Sequence, residues 1–183
     1  MQHRIFLVST RPDRSAADAQ RHWRERHSRV YGQVPGLAGY VQNRPLEEEW
    51  ERLGRRTVCS ETWFADRESE RESFATRYYA DVVVPDETSF LERESAWLGR
   101  VVEEPAPGPR AAYRVLAFGA EALLHRGEVE VYAVDRDPPG GGVRQVLAAW
   151  IDGRAEALEL ARASGPFAFA AEVHVVLEPP RAR

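Results

Sequence analysis

Lysine is absent from this 183-residue chain, so every one of its 25 basic residues is an arginine. That excludes a Schiff-base lysine and the lysine of a phosphate-binding loop. The bias fits GC-rich coding better than any physical demand. Cysteine is nearly absent as well: Cys59 is the single one, so no internal disulfide can form, which a reducing compartment permits. Long apolar runs are missing. No stretch approaches the ~20 apolar residues of a membrane-spanning helix. The run from Ile5 to Val8 is too short for a signal-peptide core and leads into a charged helix. The chain is therefore expected to be cytoplasmic, with no membrane partner. A basic block is also lacking. The 25 arginines and 29 acidic residues are finely mixed, with a net charge of −4, so there is no clustered positive face for nucleic acid.

With 43% hydrophobic and 30% charged residues, the composition is globular. A chain of this length can bury roughly 70% of the surface that its unfolded form exposes. Residues 4–10 (RIFLVST) read as a strand closed by Arg11-Pro12-Asp13. Ser15 with Asp18 marks a helix start, and Ala19, Trp23, His27, Val30 and Val34 recur at near-helical spacing, with Gly32 and then Pro35-Gly36 as the end signals. Strands are expected at 39–45 and 56–64, separated by the acidic LEEEWERLG. Asp66 caps a helix carrying Phe74 and Tyr78, and a further helix starts near Asp86 and carries Phe90, Leu91, Trp97 and Leu98. A short strand at 101–103 closes this half.

The proline-rich EPAPGP then reads as a linker over 104–110. In the remainder, strands are expected at 112–118, 129–135, 143–151 and 171–177, a helix at 154–163, a short helical piece at 120–126, and a turn at Pro138 to Gly142. The expected organisation is thus a first half over 1–103 and a second over 111–183. Each has the element order of a ferredoxin-like split β-α-β unit. Such sheets leave one apolar face bare, to be covered by a sheet of the same chain or of a partner. A monomer closed internally and a homodimer both satisfy this.

Several segments carry a family resemblance. Trp23-Arg-Glu-Arg-His27, then VYGQVPGLAGYVQN at 30–43, CSETWFAD at 59–66, and Asp86 with Phe90 together resemble the EthD family of the dimeric α/β-barrel superfamily, over about residues 3–103. The second half resembles no family. The resemblance implies an α+β fold of tandem ferredoxin-like halves with antiparallel sheets, and a small-molecule pocket between helices and sheet. It also implies a histidine on the first helix, matched here by His27. Related isomerases place a cysteine immediately before the Trp-Phe pair of the third strand. Thr62 stands there instead, which puts chemistry relying on that thiol in question.

His27 can act as acid or base near neutral pH, or simply pack, and Trp23 one turn earlier can share its face. Asp86 can be an acid or base in the pocket, the resembled family carrying an acidic residue at this position before Phe, or it can cap a helix. Tyr40, Tyr78 and Tyr79 can line a pocket or pack with a wet hydroxyl. Period two puts Val58, Ser60, Thr62 and Phe64 on one face of the third strand, and Cys59, Glu61 and Trp63 on the other. Glu61 is then a buried proton carrier or half of an arginine salt bridge, and Cys59 a small core residue.

His22 and His27, five apart, are turned about 140° from one another on an α-helix and so do not make an i, i+4 zinc pair. His3, His125 and His174 are scattered, so a metal site is not expected. Gly140 to Gly142 joins strands and is no phosphate loop. No cofactor is called for, although one-histidine haem ligation stays open. The leading expectation is a cofactor-free enzyme acting by proton transfer on a small apolar, aromatic or polyketide-like molecule. His27 and Asp86 would be its catalytic groups, with Trp23, Tyr40, Thr62 and Tyr78 at the ligand. The alternatives are a non-catalytic binding protein and a cofactor-independent monooxygenase.

Overall fold

A computed structural model describes residues 1–103, 111–119, 129–136 and 145–180. The expected linker at 104–110, the helical piece at 120–126, the turn at Pro138 to Gly142 and His125 lie outside the described residues. The fold is α+β, of the dimeric α/β-barrel type. Two compact units are present: one of residues 1–42, 55–98 and 174–183, the other of 43–54 and 99–173.

In the first unit, β1 (Gln2–Thr10) pairs antiparallel with β3 (Val58–Phe64), and β3 has β2 (Leu37–Pro45) on its other side. Between β1 and β2 runs one continuous helical stretch in three pieces: α1 (Ala16–His22), a π-helical segment over Trp23–His27, and α2 (Ser28–Tyr31). Ser15 caps α1, its hydroxyl accepting from the Asp18 amide at 3.0 Å. After β2 come a 3₁₀ turn (Glu47–Glu49) and α3 (Trp50–Leu53), in the second unit. After β3, α4 (Arg67–Phe74) starts on the Asp66 cap. A second π segment (Tyr79–Val83) leads into α5 (Val84–Phe90), and β4 runs over Leu91–Glu103.

Here the structure departs from the sequence expectation, because Leu91, Trp97 and Leu98 are in a strand rather than a helix. Residues 91–98 hold good helix formers, but pairing outweighs propensity: the Ser9 amide donates to Ser95 Oγ at 2.9 Å, laying this stretch beside β1.

In the second unit the strands run in the order β8 (Ala168–Leu177), β5 (Tyr113–Phe118), β7 (Gln145–Ile151), β6 (Val129–Arg136) and β4. The pairs β5–β7, β5–β8, β6–β7 and β4–β6 are antiparallel. The helix α6 (Arg154–Ala163) lays Ala157, Leu160 and Ala161 on Val115, Ala117, Leu147 and Ala149. The small residues on both sides allow close approach.

The first helical stretch ends at Tyr31 with Gly32 as its C-cap, and Pro35-Gly36 forms the turn into β2, where Gly36 has φ +79°. A Cβ there would sit 2.7 Å from Ser73 Oγ. Gly36→Ala should therefore cost about 1–2 kcal/mol of unfolding free energy for the left-handed backbone alone, and more for the clash. In urea titrations, Gly36→Ala combined with Ser73→Ala should recover the clash part only.

Candidate functional site

The alternation of β1 and β3 builds the floor of a cavity of about 500 Å³ in the first unit. Arg4, Phe6 and Val8 of β1 face into it together with their cross-strand partners Thr62, Ser60 and Val58. Ile5, Leu7, Cys59 and Glu61 take the opposite face. The helical stretch contributes His27 and Tyr31, β2 contributes Tyr40, and Phe74, Tyr79 and Glu87 come from the segments after β3. The volume and the mixture of an aromatic wall with a few convergent polar groups are those of a small-molecule site.

Behind the wall, Asp86 is buried and accepts from His27 Nδ1 at 2.8 Å and from His22 Nε2 at 2.9 Å, with Arg26 Nε at 3.0 Å. Both histidines reach one carboxylate because the turn between them is π-helical. The Ser28 amide bonds the Trp23 carbonyl, five residues back, so residues five apart stack. The 140° separation of a regular α-helix does not apply here. Phe90 packs against both rings, at 4.6 Å from His22 and 5.2 Å from His27.

Burial pushes the Asp86 carboxyl up, but the hydrogen bonds and charge of His27 and His22 outweigh it and hold Asp86 below its ordinary value. An ionised carboxylate only accepts, so His27 Nδ1 carries a proton and donates it. In its neutral form the ring then has Nε2 as its acceptor nitrogen. Asp86 is the third residue of α5 and does not cap it.

Of the other expected site residues, Tyr40 and Thr62 line the cavity. Tyr40 Oη accepts from Gln42 Nε2 at 3.0 Å, and burial raises its hydroxyl to about 12. Tyr78 is not on the cavity wall: its hydroxyl donates to the Val30 carbonyl at 2.7 Å, and the neighbouring Tyr79 takes the wall position. Trp23 is fully buried with Val8, Val58, Phe90 and Leu91, behind the wall rather than on it. Glu61 meets His3 at 3.2 Å, with His3 stacked on Trp63, on the face turned away from the cavity. Among the described residues, no group of three or more His, Cys, Asp or Glu is placed to hold a metal ion, and no helix is long and apolar enough to cross a membrane.

Sequence reasoning missed Arg4, Tyr31 and Glu87. Arg4 was findable from the alternation of β1, and Tyr31 from its place four residues after His27. Glu87 has no local signal. It ion-pairs with Arg93 at 3.1 Å on the wall, where burial raises its carboxyl despite the cations nearby.

No family model matches the chain, and no curated protein matches it. Among solved structures, a protein described as anthrone oxidase-like superposes with a TM-score of 0.60 at 11% identity, over 100% of this chain and 96% of that one. A provisionally named chlorite dismutase gives 0.52 at 9% identity, over 96% of each chain. An EthD-family protein of Bacillus halodurans aligns at 17% identity over 56% of this chain and 99% of its own, with a TM-score of 0.43. At such identities the likeness defines the fold class and not a reaction.

The two neighbouring acids should affect acid stability oppositely. Asp86 is depressed in the folded state, so its contribution is complete above the unfolded carboxylate range and is lost as pH falls through its folded value. Asp86→Asn should destabilise most near neutral pH, and less below about pH 4. Glu87 is raised, so its ionisation opposes folding, and Glu87→Gln should stabilise near pH 7, with the gain fading toward pH 4. Urea midpoints across that range check both signs.

Proposed function

We propose that the chain is a small-molecule enzyme working by proton transfer, with His27 as the acid or base and Asp86 as its positioning group. The observation that carries this reading is the 2.8 Å contact from His27 Nδ1 to a buried, ionised Asp86, made by a ring on the wall of an aromatic cavity. The carboxylate selects the tautomer with a free Nε2 and stabilises the imidazolium that forms when Nε2 takes a proton. The aromatic wall favours a flat, apolar ligand, and Tyr40, Ser60 and Thr62 supply polar groups for its oxygen.

The step is abstraction of a proton from a carbon made acidic by a neighbouring carbonyl. Return of the proton elsewhere gives isomerisation or cyclisation, and loss of a leaving group gives dehydration. Reaction of the carbanion with oxygen would give a cofactor-independent oxygenase, the second reading. The EthD resemblance of residues 3–103 supports a family setting of this kind. Balanced charge and a lone buried Cys59 suit a soluble cytoplasmic enzyme.

Anthrone, the substrate class in the name of the anthrone oxidase-like neighbour, is a fitting first probe, since its ring methylene is a carbon acid. The protein should speed deuterium exchange at that methylene above the buffer rate. His27→Ala should lower the enhancement ~100-fold or more. Retention of over a tenth of it would remove His27 as the proton carrier. Oxygen uptake in step with exchange would favour the oxygenase reading, and recovery of the ligand without exchange would make the protein a binder.

A further inference from the structure

The cavity wall holds a polar atom that the described residues leave without a hydrogen bond. Thr62 is fully buried and lines the cavity, yet its Oγ1 has no hydrogen-bond partner among the described residues. Buried hydroxyls are nearly always bonded, and one left unmet on a cavity wall points to a ligand atom that completes it. Its cross-strand partner is Arg4, which lines the same cavity, ion-pairs with Glu70, and lies over the rings of Phe6 and Phe74 at 4.9 and 5.1 Å.

The two arginines of this wall are each met by a carboxylate, and Glu94 adds a further one. Arg4 is matched by Glu70 and Arg93 by Glu87. A permanently anionic ligand would have to compete with these carboxylates, whereas a neutral oxygen would not. Phe6 and Phe74 beside Arg4 favour a flat ring system next to that oxygen.

We propose that Thr62 Oγ1 donates a hydrogen bond to the carbonyl oxygen of an enolisable aromatic ketone that is uncharged when it binds, with Arg4 beside that oxygen. This deepens the proton-transfer reading and rests on it for the chemical step, though not for the binding. When His27 Nε2 takes the proton from the carbon next to the carbonyl, the C–H electron pair forms the C=C bond. The C=O π pair then moves onto oxygen. The enolate oxygen is held by Thr62 and faces the Arg4 cation, and return of the proton to carbon or oxygen restores a neutral product with no oxidant.

The test uses 1-tetralone, tetralin (the same bicycle without oxygen) and 1-naphthoate, titrated calorimetrically into wild type, Thr62→Val and Thr62→Ser. Wild type should prefer 1-tetralone to both others by about tenfold. Thr62→Val should lose that preference while binding tetralin as before, and Thr62→Ser should keep most of it. Without ligand, Thr62→Val should melt about 2–4 °C higher, because an unmet buried hydroxyl is removed.

Equal affinity of wild type for 1-tetralone and tetralin overturns the proposal, as does unchanged 1-tetralone binding by Thr62→Val. A lower melting point for that variant also overturns it, since the hydroxyl would then be bonded within the protein. Loss of methylene exchange with the Thr62 effect intact would sink the proton-transfer reading and leave this site standing. Exchange intact with Thr62→Val indifferent would do the reverse.

Discussion

Much of the first unit's organisation converges on one carboxylate. Asp86 is taken out of water by Phe90 and the helical stretch, a state that an aspartate tolerates only when its charge is met by donors. Three donors meet it, from His22, Arg26 and His27, and all three lie within or beside a single π-helical turn. An α-helical turn would bring only some of them to the same point. The π turn and the buried charge therefore explain each other: the irregular backbone supplies the donors, and the ion pairs stabilise the irregular backbone. The product of that arrangement is a histidine held in one tautomer at the edge of a cavity.

The β1–β3 ladder separates the cavity from the packing that supports it. One face presents Arg4, Phe6, Val8, Ser60 and Thr62 to the open space. The other carries Ile5, Leu7 and Cys59, with the His3–Glu61 contact and the His3–Trp63 stack. A slip of one residue would exchange the two sets and bury the wrong polar groups, so the register is as much a part of the site as any side chain. The unmet hydroxyl of Thr62 fits a site kept incomplete for a ligand, a departure from the rule that buried polar groups are satisfied.

The second unit holds a buried cation of a different kind. Arg114 meets Tyr132 Oη at 2.7 Å, Glu130 Oε2 at 3.2 Å and Asn43 Oδ1 at 3.2 Å. It also lies over the rings of Tyr132 and Trp150, each at 5.4 Å. Here both terminal guanidinium nitrogens are met by protein groups. The network orders one face of the β5–β7–β6 sheet, while α6 covers the other. Buried arginines thus serve two ends in this chain: in one unit a wall of a cavity, in the other a tie between strands.

Local signals in the sequence determined a good deal. The Ser15 and Asp66 caps, the Pro35-Gly36 turn, the period-two strands and α6 at Arg154–Ala163 were legible because each depends on residues adjacent in the chain. For the same reason Thr62 could be set apart from Glu61 and Cys59, and His27 could be named as a pocket residue through the EthD resemblance. Only the tertiary structure decided the rest. That residues 91–98 form a strand follows from their lying beside β1, over eighty residues away. That His22 joins His27 follows from a π turn, which leaves no mark in an apolar period and rests on a carboxylate some sixty residues on. Tyr79 rather than Tyr78 reaches the cavity because packing, not propensity, sets which neighbour turns inward. Spacing along the chain reports what a residue's own turn or strand does with it, whereas a site is made where distant segments meet.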